Sequence, residues 1–163
     1  MFSLSRLGLV LALLLTASIQ QPAWSAGGGG SDSSTVPSRS DSMPEEFAKA
    51  KSMIKGGKYA DAIPLLERAA GKAPNNPDVF NLLGYSNRKL RRFDVAEKHY
   101  GRALALNASH RGTLEYLGEL YLQAGRPDKA REMLNRLSSA CVFGCKEYDQ
   151  LKRAIAAGPG ASW

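Results

Sequence analysis

The residues that could do chemistry in this sequence are few and lie far apart. There are two histidines, His99 and His110, and two cysteines, Cys141 and Cys145. Neither histidine stands at a recognisable spacing from a nucleophile or a carboxylate, so we interpret both as surface residues rather than acid–base catalysts. Two thiols with two distant histidines also make a poor zinc site. The sequence therefore predicts no enzyme, no metal site and no cofactor.

The two cysteines are better suited to a disulfide bond. Their C-x3-C spacing differs from the C-x-x-C spacing of redox folds. Gly144 supplies a backbone bend that could bring the two sulfur atoms together. We therefore expect a bond between Cys141 and Cys145 that sets the entry angle of the following helix. A thiol-redox accessory role for this pair is the alternative.

A basic run, RKLRR over residues 88–92, is a second candidate for chemistry, because it could contact nucleic acid. It closes a helical pattern, however, where basic side chains are favoured by the negative end of the helix dipole. The net charge of +7 is explained by solubility. We predict no nucleic-acid partner.

The amino-terminal segment has the layout of a secretory signal peptide. Arg6 precedes an apolar run over residues 7–17, and a small-residue stretch ends at Ser25. The run is too short to span a bilayer, which takes about 20 residues. We expect a signal peptide over residues 1–25, no membrane span after its cleavage, and a periplasmic location in a Gram-negative bacterium; the alternative is that the segment is retained as a membrane anchor. The Gly- and Ser-rich residues 26–43 are expected to form a disordered linker.

From Pro44 onward the sequence has a period of 34 residues. A fixed period of this length, built from two helical patterns, indicates stacked helical hairpins. Pro77 and Pro127 fall where a helix would begin, and Gly57 and Gly125 fall at turns between paired helices. The residues that recur with this period are Ala50, Gly84 and Gly118; Ala62, Ala96 and Ala130; and Leu66, Tyr100 and Leu134.

These positions resemble the tetratricopeptide repeat family. The second unit carries Phe80, Leu83, Gly84, Ala96, Tyr100 and Ala103, and the third carries Leu114, Leu117, Gly118, Tyr121, Ala130 and Leu134. The resemblance implies an all-α solenoid of helical hairpins. We expect units over residues 44–76, 77–110 and 111–142, a capping helix over 143–157, and a disordered tail over 158–163.

The recurring small residues are predicted to be structural. Glycine inside a helix costs about 1 kcal/mol relative to alanine. In hairpins of this family the two helices cross where the small residue of the first meets the alanine of the second. Gly84 is thus expected to face Ala96, and Gly118 to face Ala130. Close packing would offset the cost of each glycine.

The resemblance also implies a concave groove that binds peptide segments of partner proteins. The groove should be lined by residues at helical spacing on the face of each first helix that points away from its hairpin partner. This lining changes from basic to acidic along the array. Some relatives grip a carboxyl terminus with basic side chains, but Gly112 and Tyr116 occupy those places, so that ligand is not predicted. The predicted lining comprises Phe47, Lys51, Ile54 and Lys55; Asn81, Tyr85, Arg88 and Lys89; and Glu115, Glu119, Leu122 and Gln123.

The predicted function is therefore non-catalytic protein binding, as an adaptor or assembly factor that captures a segment of an envelope protein. Phe47 and Tyr85 are the expected anchors of that segment, because aromatic side chains are frequent at the centre of binding sites. The alternative is a structural scaffold that docks by its edge or end onto an envelope complex.

Overall fold

The computed structural model describes residues 42–158. The predicted signal peptide, the linker up to residue 41 and the tail from residue 159 lie outside these residues. The described part is entirely α-helical, as predicted. Its helices are α1 Ser42–Lys55, α2 Tyr59–Lys72, α3 Pro77–Lys89, α4 Phe93–Leu106, α5 Arg111–Gln123, α6 Pro127–Ala140 and α7 Lys146–Ala157.

The helices pair in chain order. α1 packs on α2, α3 on α4 and α5 on α6, and α7 closes the array by packing on both α5 and α6. α1 begins within the predicted linker, so residues 42 and 43 are helical rather than disordered. None of the described helices is long and apolar enough to cross a membrane.

Helix ends follow local chemistry. Pro77 and Pro127 occupy the first turns of α3 and α6. Proline is tolerated there because a backbone N–H at this position would have no partner within the helix. The turns inside the three hairpins each need a left-handed residue. Gly57 and Gly125 supply it with φ values of 74° and 70°, and Arg91 supplies it in the middle hairpin at 60°. Only glycine adopts this conformation without strain, so Arg91 is the strained member.

The core falls into two clusters of buried side chains. The first, contributed by α1–α3, contains Ala50, Ala62, Leu65, Leu66, Ala69, Val79 and Leu83. The second, contributed by α4–α7, contains Ala96, Tyr100, Leu114, Leu117, Leu120, Tyr121, Leu122, Ala130, Met133, Leu137, Cys141, Leu151 and Ala154.

The two helical glycines that recur with the period, Gly84 and Gly118, each allow a bulky side chain to approach the backbone. A Cβ added to Gly84 would lie 2.5 Å from ring atoms of Tyr100, and one added to Gly118 would lie 2.5 Å from Leu151. These nearest atoms do not exclude the contacts with Ala96 and Ala130, which stay predictions. Close packing at both glycines agrees with their predicted structural role.

The predicted disulfide is present between the last two helices. Cys141 and Cys145 are bonded, with their Cα atoms 5.6 Å apart. Gly144 has a φ of 83°, a left-handed bend that lets the chain reverse between them. α7 consequently begins at Lys146 rather than at residue 143. The loop leaves Val142 and Phe143 79% and 101% exposed.

Candidate binding groove

One face of the array carries a depression of about 440 Å³, here named the central groove, whose walls come from α3, α5 and α7. Six of the predicted lining residues meet there: Asn81, Tyr85, Arg88, Lys89, Glu115 and Glu119. The repeat register thus brings together residues 34 positions apart in the chain, such as Asn81 and Glu115, because equivalent helices of successive units lie side by side.

The predicted residues of α1 lie outside the central groove. Phe47 and Ile54 pack against the first core cluster, and Lys51 and Lys55 are exposed. The Lys51 ammonium lies 5.5 Å from the Phe47 ring centroid. On α5, the prediction for Leu122 is wrong, since it is 2% exposed and belongs to the second core cluster. Helical spacing predicted Leu122 at the edge of the groove, but its side chain packs among buried residues of α4–α7 instead.

α7 contributes lining that the sequence analysis missed. Lys146, Glu147 and Gln150 form one wall of the central groove, so the capping helix also belongs to the binding face. A signal was available, since Lys146 and Gln150 stand one period of 34 after Gly112 and Tyr116. α7 thus occupies the position of the first helix of a further unit.

Tyrosines form the apolar part of the central groove. The half-buried Tyr85 ring lies 5.9 Å from Tyr59 and 4.8 Å from Tyr116. Burial raises the pKa of Tyr116 to about 12, with a further rise from nearby Glu115. Burial also raises the pKa of Tyr85. The phenols of Tyr85 and Tyr116 are therefore neutral at physiological pH. They offer amphipathic surface of the kind enriched in protein interfaces.

Arg88 is the centre of a buried ion pair rather than an exposed charge. It is 2% exposed, and its Nη2 lies 2.7 Å from Glu119 Oε2. The guanidinium also lies 5.3 Å and 5.7 Å from the ring centroids of Tyr85 and Tyr116. Among the described atoms, its Nε and Nη1 have no hydrogen-bond partner. Arg88 therefore faces α5 instead of solvent, although it lines the central groove as predicted.

Glu115 is a buried carboxyl group on the floor of the central groove. It is 4% exposed. Burial, reinforced by the carboxylates of Glu119 and Glu147, raises its pKa to about 8. The Gln150 carboxamide, turned so that its nitrogen faces α5, donates a hydrogen bond of 3.2 Å to Glu115 Oε1. Burial also raises the pKa of Glu119, against the opposing effect of Arg88.

His110 proves to be a structural residue of the groove rim. Its Nδ1 accepts a hydrogen bond of 3.1 Å from the Thr113 backbone N–H, which caps α5, and its Nε2 lies 3.0 Å from Asp78 Oδ1. Thr113 Oγ1 in turn donates to Asn81 Oδ1 at 3.1 Å. This network holds α3 and α5 in register, and the interpretation of His110 as an ordinary surface histidine is wrong.

Within residues 42–158, no group of three or more His, Cys, Asp or Glu side chains could hold a metal ion. Helical hairpins stacked side by side, with a groove along equivalent helices, define a short α-solenoid repeat protein. Two family models, both described as tetratricopeptide repeat, match residues 47–92 and 88–157. The chain belongs to the tetratricopeptide repeat family, which is typically a non-catalytic module of protein interaction.

Solved structures share this fold at low sequence identity. The first tetratricopeptide repeat domain of Spaghetti (RPAP3), bound to the HSP90 peptide SRMEEVD, is 22% identical; the match has a TM-score of 0.64 and covers 72% of this chain and 94% of that one. The Yersinia enterocolitica type III secretion chaperone SycD, in complex with a peptide of the translocator YopD, is 18% identical, with a TM-score of 0.63 and coverage of 72% and 88%. MamA is 23% identical, with a TM-score of 0.61 and coverage of 71% and 67%.

At the level of sequence, no curated protein matches the chain. The structural likenesses therefore concern the fold, and the groove must be interpreted from its own residues.

Proposed function

We propose that this protein is a non-catalytic adaptor or assembly factor that captures a segment of a partner protein in the central groove. The observation that carries the proposal is the groove itself: an open depression in which Tyr85 and Tyr116 lie beside charged side chains. Tyrosine is among the residue types most frequent at binding hot spots. It buries a large area with only two side-chain torsions to order.

Two of the solved structures with this fold hold peptides, one from HSP90 and one from the translocator YopD. They support a binding mode in which the array accepts an extended segment of another protein. The identities of those ligands are not carried over, because Gly112 and Tyr116 occupy the places where relatives that grip a carboxyl terminus have basic side chains.

The proposed compartment is the periplasm, and the proposed partner is an envelope protein. The signal-peptide pattern over residues 1–25 supports export. The Cys141–Cys145 disulfide agrees with an oxidising compartment. A thiol-redox accessory using this pair is the alternative, and its C-x3-C spacing differs from the C-x-x-C spacing of redox folds.

A docking scaffold is the second candidate function. The fully exposed Phe143 and largely exposed Val142 project from the disulfide loop at the end of the array. Exposed apolar side chains in a tied loop could attach the array by its end to a larger complex.

Capture of envelope proteins by the mature chain tests both candidates. Tyr85→Ala should remove the specific partner if the central groove binds it. Phe143→Ser should remove it if the end of the array docks. Lys98→Ala, at an exposed position of α4, is the control. Retention of the partner by Tyr85→Ala together with its loss in Phe143→Ser would replace the groove proposal with the scaffold.

A further inference from the structure

The carboxyl groups of the central groove differ in their partners. Glu119 and Glu147 form ion pairs, with Arg88 at 2.7 Å and Lys146 at 3.9 Å, and Asp78 accepts a hydrogen bond of 3.0 Å from His110 Nε2. Lys89 is a further cation of the groove lining. Glu115 forms no ion pair with any residue that the structure describes, although it is 4% exposed and lines the groove. A buried carboxyl group without a cation is costly in its ionised form.

The surroundings of Glu115 leave room for a group from outside. Gly112 lies one turn earlier on the same face of α5 and places no side chain there. A Cβ added to it would meet only Asn81 and His110, at 3.5 Å and 3.8 Å. Gln150 supplies one neutral hydrogen bond to the carboxyl group. A positively charged group entering beside Glu115 would supply the missing countercharge.

An anionic ligand is a poorer match to the same site. Arg88 is 2% exposed and already paired, so a partner carboxylate could reach it only by displacing Glu119. Such a ligand would also approach the carboxyl groups of Glu115 and Glu147. Like charges brought together at an interface oppose binding.

We propose that the central groove recognises a cationic group of its partner segment, a lysine or arginine side chain or a free amino terminus, and holds it against the Glu115 carboxylate. This proposal rests on the groove-binding function given above and specifies its ligand chemistry. It inverts the charge preference of those relatives that grip a carboxyl terminus.

Peptide selection tests the ligand class. The probe is a displayed library of random nonapeptides, selected on the disulfide-bonded mature chain and, in parallel, on Tyr85→Ala, Glu115→Gln and Glu132→Gln. Glu132 is exposed on α6 and serves as the matched control. We expect wild type and Glu132→Gln to enrich peptides rich in Lys and Arg, and Glu115→Gln to lose that enrichment.

The outcomes distinguish the cation proposal from the groove-binding function on which it rests. Peptides that depend on Tyr85 but carry no basic excess would overturn the cation proposal and leave groove binding intact. A selection with no peptide that depends on Tyr85 would overturn both. Synthetic forms of the enriched peptide, acetylated or with a free amino terminus, distinguish a side-chain cation from a terminal one. Glu115→Gln should weaken the preferred form about tenfold or more, since a buried charge pair loses one partner.

Proton release gives a second readout. The charged groups facing Glu115 are Arg88 on α3, Glu119 on α5, and Lys146 and Glu147 on α7. A bound cation favours the ionised carboxyl and lowers its pKa from about 8. Calorimetric titration at pH 7 in two buffers of different ionisation enthalpy should therefore show protons released by wild type and not by Glu115→Gln. Equal proton balance in the two proteins would contradict the proposal.

Discussion

At the scale of single residues, Arg88 and Glu115 show how burial changes what a charged side chain does. Both project from groove-facing helices at positions that the period of 34 identifies. Arg88 lies between α3 and α5 with a carboxylate partner, while Glu115 is buried without a cation. Helical spacing defines the face on which a side chain lies. It does not define how far the next helix covers that face, so the burial of Arg88 could not be predicted.

Replacing Arg88 should destabilise the fold. Arg88→Glu places a second carboxylate beside Glu119, and breaking a buried ion pair costs about 3–5 kcal/mol. We expect a loss of this size in the free energy of unfolding, measured by urea denaturation. Arg92→Glu, at an exposed position nearby, should change stability by less than about 0.5 kcal/mol. Equal stability of the two variants would contradict the buried position of Arg88.

Glu115 should make stability fall as pH rises. Its pKa in the folded state is about 8, above the value of about 4.3 expected in the unfolded chain. Between these values the folded state binds more protons, so unfolding becomes easier with increasing pH. Relative to wild type, Glu115→Gln should gain stability steadily from about pH 4.5 to about pH 8, with no further gain above. Denaturation across this range measures the difference. The free energy of unfolding of Glu132→Gln should depend on pH in the same way as that of wild type.

At the scale of helices, the spacing between α3 and α4 depends on the absence of one methyl group. The added Cβ of Gly84 would overlap the ring of the fully buried Tyr100, whereas Gly101 on α4 has open space around its Cβ position. Gly84→Ala should lower the free energy of unfolding by about 1–2 kcal/mol, because overpacking outweighs the gain in helix propensity. Gly101→Ala should raise it by up to about 1 kcal/mol. Stabilisation by both variants would mean that the hairpin is looser than described.

The disulfide loop should determine how firmly α7 is held. In the chain-entropy model, a bond closing so short a loop contributes about 2 kcal/mol. Replacing Cys141 and Cys145 by serine should lower global stability by about that amount. Amide hydrogen exchange should show the largest loss of protection in α7. Uniform loss over all helices would indicate that the bond acts only on the unfolded chain.

Sequence reasoning was most successful for elements that repeat. The hairpins are anticipated because Ala62, Ala96 and Ala130 recur in register, and the disulfide because Gly144 can bend the loop. The groove role of α7 was missed because one helical pattern, without the second pattern of a hairpin, does not by itself indicate a repeat. The close contacts of Gly84 with Tyr100 and of Gly118 with Leu151 could not be predicted, because spacing identifies a position that needs a small residue but not the side chain that packs there.

At the scale of the whole array, exposed lysines on α1, outside the central groove, contrast with carboxyl groups inside it. Exposed Lys51 and Lys55 lie on α1, and Glu115 and Glu147 lie on α5 and α7. A bound segment should therefore run with its basic end at α7 and its acidic end toward α1. A spin label on the acidic end of the selected peptide should broaden amide signals of α1, and one on the basic end those of α7. Salt should weaken this preference, since the lysines are exposed. Equal broadening at both ends would mean that this contrast in charge does not orient the segment.

The contact between Gly84 and Tyr100 has a consequence for how the array yields under stress. It joins α3, whose buried side chains belong to the first core cluster, to α4, whose buried side chains belong to the second. The central groove brings α3 together with α5 and α7, so a bound segment adds further contacts between helices of the two clusters. Occupancy of the groove should therefore make the whole array more resistant to pulling, heat and proteases.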